Sequence, residues 1–155
     1  MQKFIFYFNK AVRSLQLADH ITYVTYPLLK EKKLLLKILD EIYESVIYSI
    51  YAILYFNFYK NKSKIPLNNN KLKEFFKKKS FNLLNDTQLN RIKEIINIYN
   101  KHKLSSVEFI IKNKVVIMND DLKIYVLDIK KIKEYLLTAK ELLNIVNNLK
   151  NKKLN

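Results

Sequence analysis

Apolar positions recur along most of the chain at helical intervals. Phe4, Phe8, Ala11, Leu15 and Ala18 are spaced four, three, four and three apart, which draws one stripe along a cylinder with Ile5 and Val12 at its edge. A first helix is therefore predicted over residues 3 to about 22, and the small Ala11 and Ala18 permit a neighbour to approach closely. Pro27 predicts a break, because the residue before a proline is pushed out of α conformation. From about Glu31 to Tyr59 a long helix is predicted, with Leu35, Leu39, Ile42, Val46, Ile50 and Ile53 on one face. At ~1.5 Å per residue it would be about 40 Å long, enough to form the spine of a bundle.

The pattern lapses between Lys60 and Asn70, where Ser63, Pro66 and three consecutive asparagines predict a solvated connection. A short helical piece is expected around Lys71 to Lys78. Asn85 with Gln88 three residues on forms a capping box for a third long helix, whose Leu89, Ile92, Ile96 and Tyr99 keep helical spacing. From Phe109 to Leu127 the texture turns β-branched: Val115, Val116 and Ile117 face Ile124, Tyr125 and Val126 across Asn119, Asp120 and Asp121. One small β-hairpin is predicted there. Asp128 is placed to cap a last helix in which Ile132, Leu136, Ala139, Leu143 and Val146 repeat at four and three. The expected fold is mainly α, a four-helix up-down bundle with a short extra helix and one small β-hairpin before the last helix, as a single domain over residues 1–155.

Composition removes much chemistry from that frame. The chain has no glycine, where average usage of ~7% would supply about eleven, so phosphate-cradling loops, dinucleotide fingerprints and nucleophile elbows are missing. Without cysteine, and with two distant histidines among scattered carboxylates, neither thiol catalysis nor a metal site is expected, and no cofactor is implied. The apolar start, Phe4 to Phe8, is interrupted by Asn9, Lys10 and Arg13 before it could serve as a secretory signal. The longest uncharged run, Ser45 to Tyr59, falls short of the ~18 to 20 apolar residues of a spanning helix, so no membrane is expected. A cytoplasmic location follows as the expectation, and the lack of cysteine fits it.

Charge narrows the partner class. A net charge of +15 attracts nucleic acid, anionic lipid or an acidic protein, although with Arg13 and Arg91 as the only arginines, sequence-specific DNA reading is disfavoured. A lysine-rich surface inherited from codon bias is the plain alternative. Lysines cluster at Lys30, Lys32 and Lys33, from Lys71 to Lys79, at Lys130, Lys131 and Lys133, and from Lys150 to Lys153. Each is either a solvated face or part of a phosphate track, and Lys10, Arg13, Lys130, Lys131 and Lys133 are the nucleic-acid-binding candidates.

Arg13 and His20 lie two helical turns apart, on a polar strip with Asn9 and Gln16 opposite Ala11 and Leu15. Such a strip is ordinarily a solvated face. As a catalytic pair, His20 would shuttle a proton and Arg13 would stabilise charge on a scissile phosphate, which suffices for metal-independent RNA cleavage. His102, between Lys101 and Lys103, is expected to cap the carbonyl end of the third long helix. Tyr48, Tyr51, Tyr55 and Tyr59 recur at three, four and four, as core, as the seam of a homodimer, or as a surface for stacking bases.

The segment from Lys10 through Ala18, Asp19, His20, Tyr23 and Tyr26 to Pro27 and Leu28, with the long second helix, resembles the HEPN domains (higher eukaryotes and prokaryotes nucleotide-binding) over about the first 60 residues. Catalytic members of that family are similar ribonucleases carrying Arg, four to six residues, then His, paired across a homodimer. Arg13 and His20 match that spacing, but in the first helix rather than a later one, and followed by Ser14 rather than asparagine. Many members lack the motif and act as binding modules. The resemblance thus implies a homodimeric, non-enzymatic module with RNA or another polyanion as ligand. The alternatives are a metal-independent endoribonuclease using Arg13 and His20, or an antitoxin-like or scaffolding partner of an acidic protein.

Overall fold

A computed structural model describes residues 1–66, 68–105 and 107–154, without the side chains at positions 79, 80, 153 and 154. Lys79 and Lys153, the ends of two lysine runs, therefore carry no side-chain description. The chain is mainly helical, with a small antiparallel sheet before the last helix. Helix α1 (Gln2–His20) leads through a π-helical turn at Ile21–Thr25 into α2 (Tyr26–Leu29). Then follow α3 (Lys33–Asn61), the short α4 (Lys71–Lys77) and α5 (Asp86–Leu104). Strands β1 (Val107–Ile111), β2 (Lys114–Met118) and β3 (Ile124–Leu127) precede α6 (Ile129–Leu154).

Helix α3 is the spine because it is apolar on nearly every side. Leu35, Leu39, Ile42, Val46, Ile50 and Ile53 are all fully buried, as the stripe predicts, and so are Ile38 and Ala52 beside it. Each large aliphatic removed from water there contributes about 1.5–3 kcal/mol. The strongest packing is between α1 and α3, where two wholly buried small residues meet, Ala11 of α1 and Ser45 of α3. Ser45 Oγ donates to the Ala11 carbonyl at 2.9 Å, so the two backbones lie close enough for a side chain of one to bond the main chain of the other. Helix α6 lies against both α1 and α3, while α5 touches α3, α6 and β2.

The capping box is present in both halves. Gln88 N–H donates to Asn85 Oδ1 at 2.8 Å, and Asn85 N–H donates to Gln88 Oε1 at 3.0 Å. Asn85→Ala removes an acceptor for an otherwise unpaired helix donor, and is expected to cost about 1 kcal/mol in a urea unfolding series. Asp128 caps α6 through Lys131 N–H at 2.8 Å.

Three predicted features are corrected. Pro27 does not stop the first helix at residue 22, because the chain widens into the π turn just before it and enters α2 with the proline in the first turn. The wider turn gives the proline ring the room that an α-helical carbonyl four residues back would deny it. The helix instead ends at Lys30, whose φ of 52° is left-handed. In a glycine-free chain such positions fall to other residues, here also Lys62, Phe81, Asn82, Lys112 and Leu122. In α5 the buried residues after Leu89 and Ile92 are Ile95 and Ile98, while Ile96 and Tyr99 flank them and Tyr99 stacks on Tyr43 with ring centroids 3.5 Å apart.

The third correction concerns the sheet. The predicted hairpin is β2 with β3, Val115 opposite Leu127 and Met118 opposite Ile124. A further strand, β1, pairs with β2 from Val107–Met118 to Ile111–Lys114, making a three-stranded sheet in the order β1-β2-β3. Every β1 residue is exposed, so it lacks the alternating burial that marks a strand in a sequence, and its pairing comes from β2 alone. Val115, Ile117 and Leu127 carry the inner face of the sheet into the main core.

Candidate functional site

The π turn that admits Pro27 also decides what the end of α1 presents to solvent. Ile21 and Thr22 turn inward, and Thr22 Oγ1 donates to the Ala18 carbonyl at 2.7 Å. Tyr23, 51% exposed, turns outward beside α6. There Lys133 Nζ lies 5.3 Å and Lys140 Nζ 5.5 Å from the centroid of its ring. Two turns of α6 separate these lysines, and Leu137, 53% exposed, stands between them. Lys140 is also fixed by an ion pair with Asp19, which precedes His20. The patch is a half-exposed tyrosine ring with two ammonium groups over it, one of them shared with Asp19, a combination suited to holding phosphates beside a stacked base.

The predicted lysines divide. Lys133 belongs to this patch and Lys130 is exposed next to it in sequence. Lys131 is engaged elsewhere, donating to Glu94 at 2.8 Å and lying 3.8 Å from Glu134. The Glu94 bond holds the Lys131 ammonium above its ordinary pKa against partial burial. Partial burial acts to raise the Glu94 carboxyl, but hydrogen bonds from Lys131 and Tyr135 bring it below its ordinary value. Burial first, and then the bond to Glu94, pushes the Tyr135 phenol well up. Lys131 thus spends its charge on two carboxylates, Glu94 and Glu134, whereas Lys140 faces the single carboxylate of Asp19.

Arg13 and His20 are both exposed, but no contact joins them. Arg13 lines a cleft of ≈ 290 Å³ with Lys10, Ser14, Glu41, Glu44 and Tyr48, and His20 is not among its walls. Ser14 Oγ donates to Glu44 Oε2 at 3.2 Å, while the buried Glu41 takes an ion pair from Lys37 at 2.6 Å. A phosphate placed on Arg13 in this cleft would meet both carboxylates. Lys10 leans over Phe6 and Tyr48, at 4.9 and 5.2 Å from their ring centroids.

The tyrosine stripe is mostly spent inside the chain. Tyr7 of α1 stacks on Tyr48 and Tyr55 at 6.0 and 5.3 Å and meets Tyr51 edge-on at 5.3 Å. From the other side comes Lys71 of α4, only 4% exposed, with Nζ 4.8 and 5.1 Å from the Tyr51 and Tyr55 centroids. Lys71 also donates to Tyr55 Oη at 3.3 Å and to Asn68 Oδ1 at 2.8 Å. Burial raises the Tyr51 phenol. Tyr59, 58% exposed, borders a separate apolar groove of ≈ 430 Å³ with Phe56, Phe81 and Leu149.

His102 does more than complement a helix end. Its Nδ1 is bonded to Glu108 of β1 and its Nε2 lies 3.5 Å from Asp40 Oδ1 of α3, so one imidazole joins α5 to a helix and a strand. Lys103 Nζ supports Asp40 at 3.3 Å, and Ser105 Oγ donates to Glu108 Oε1 at 2.8 Å. The bond to Asp40 raises the His102 imidazole above its ordinary value, partial burial opposes this, and the Glu108 bond adds to the rise. Both ring nitrogens are committed to carboxylates, which leaves His102 no position for catalysis.

Neither Tyr23 with Lys140 nor the His102 clamp is marked in the sequence as a site. A cue for the first is the i, i+7 spacing of Lys133 and Lys140 on one helix face; its aromatic member comes from another helix. Among the described residues no three His, Cys, Asp or Glu side chains converge as metal ligands, and no helix is long and apolar enough to cross a membrane. No family model, curated protein or solved structure matches the chain.

Proposed function

We propose that this protein is a non-enzymatic, HEPN-like helical module, built as a four-helix up-down bundle, that binds RNA or another polyanion. The single observation that carries the proposal is the exposed Tyr23 ring between Lys133 and Lys140. The surrounding field supports it, since the chain holds 29 basic residues against 14 acidic ones. Lysine and tyrosine, without arginine at the patch, favour sequence-tolerant contact with a flexible single strand over reading of base edges.

Cleavage by Arg13 and His20 is the weaker reading because Glu41 and Glu44 share the cleft with Arg13 and oppose a phosphate there. Incubation with labelled single-stranded RNA in EDTA tests both readings at once. Binding without cleavage is expected. Cleavage abolished by His20→Ala would establish the enzyme instead. Tyr23→Ala, and separately the double change Lys133→Ala with Lys140→Ala, are each expected to weaken binding about tenfold, the scale of one stacked base. Unchanged affinity in both would remove the patch from the interface.

A further inference from the structure

The outer face of the sheet has the wrong composition for a surface that only meets water. The register places Val107, Phe109 and Ile111 of β1, Val116 and Met118 of β2, and Ile124 and Val126 of β3 on the side opposite Val115, Ile117 and Leu127. A half-buried antiparallel sheet ordinarily alternates apolar-in with polar-out, yet here Lys114 is the one polar residue on the outer face. Phe109 is 38%, Val126 45% and Ile124 60% exposed. Around a central Val116 that is itself only 6% exposed, these side chains leave on the order of 500 Å² of apolar surface, at the upper end of what a monomer shows.

Charge indicates what covers it. In a chain of net charge +15, the segment 107–128 carries three lysines (Lys112, Lys114, Lys123) against four carboxylates (Glu108, Asp120, Asp121, Asp128). The sheet segment therefore lacks the chain's positive excess. An acidic partner would be drawn to the lysine-rich helices; a second copy, equally basic, approaches at least cost here. The two ends of the sheet also differ in sign. Lys112 and Lys114 at the β1–β2 turn outweigh Asp128, which follows β3 at the same end, while Asp120 and Asp121 at the β2–β3 turn outweigh Lys123 beside them. A twofold axis parallel to the sheet plane and across the strands sets the basic end of each copy over the acidic end of the other, so the face is complementary to itself.

We infer that the outer face of the β1-β2-β3 sheet is a self-association surface on which a second copy of this chain packs sheet to sheet. This goes beyond polyanion binding and does not rest on it. It also places the seam of a homodimer on the sheet, not on the tyrosine stripe of α3. The buried area, about two-thirds of the ~800 Å² per partner of a standard interface, predicts a dissociable dimer with Kd of roughly 10–100 µM.

Sedimentation velocity in RNA-free buffer, over a concentration series spanning that range, tests the assignment. Wild type is expected to pass from monomer to dimer, whereas Phe109→Lys and Val126→Lys should each raise Kd at least about tenfold with unchanged circular dichroism. Lys114→Glu and Asp121→Lys should each weaken the dimer, and the double variant should recover it. A wild type monomeric throughout, or a dimer that survives both lysine substitutions, overturns the inference. RNA binding by the monomeric Phe109→Lys variant is a separate reading, so loss of the dimer and loss of the ligand are told apart.

Discussion

Ala11→Leu is expected to be the most damaging single substitution considered, lowering stability by about 3 kcal/mol, at the upper end of overpacking costs. Ala11 is wholly buried where α1 crosses α3, and its carbonyl receives the Ser45 hydroxyl at 2.9 Å. The added carbons have nowhere to go. They must push the helices apart, which breaks that bond, leaves a buried hydroxyl unpaired, and loosens Phe4 and Phe8 from the core that they share with α3. Equilibrium urea unfolding measures the loss. A decrease below about 1 kcal/mol would mean that the seam yields, and that close approach of α1 to α3 is not what organises the core.

His102→Ala is expected to cost about 2 kcal/mol near pH 6, because it leaves Asp40 and Glu108 facing one another without the imidazolium between them. The group is well covered, its side chain only 13% exposed, so solvent screens the interaction little. The sign of the pH dependence follows from its raised pKa. The contribution is complete below the ordinary histidine value of about 6.5 and is lost as pH rises through the higher folded value. Asp40 works in the other direction. Burial alone would raise its pKa, but bonds from His102 and Lys103 carry it below the ordinary carboxylate value. Its contribution is therefore present above that value and lost as pH falls through the lowered one. Wild-type stability should decline as pH rises from about 6.5 through the raised His102 value, while His102→Gln, which keeps a donor but does not titrate, should be flat across the same interval. A wild type equally flat would show that the clamp contributes no charge.

The parts of this fold legible in the sequence are those governed by neighbours in the chain. The stripe of α3, the Asn85–Gln88 box and the Asp128 cap are local periodicity and local hydrogen bonding, and each has its expected place. What escaped depends on partners far away. Pro27 is a stop signal only if the preceding turn stays α-helical, and the π turn at Ile21–Thr25 removes that condition. Strand β1 carries no alternation of its own and exists because β2 offers a ladder. Asp40, His102 and Glu108 lie on three elements, and nothing in their spacing brings them together. The candidate site was half legible: Lys133 was in view, whereas Tyr23 reaches it only across the packing of α1 on α6. Arg13 and His20 keep the polar strip their spacing implies, but Glu41 and Glu44 of α3 enter the Arg13 cleft, which no reading of α1 alone reveals.

The central claim is that the basic surface around Tyr23 engages a polyanion, and its most direct test is the salt dependence of RNA binding. Each phosphate neutralised on a single strand contributes about −0.7 to the slope of log K against log salt. For a track of about four phosphates across Lys130, Lys133, Lys140 and their surroundings, a slope near −3 is predicted, falling in magnitude by about 1.4 when Lys133 and Lys140 are both alanine. A wild-type slope near zero, or one that the double variant leaves unchanged, would contradict the account.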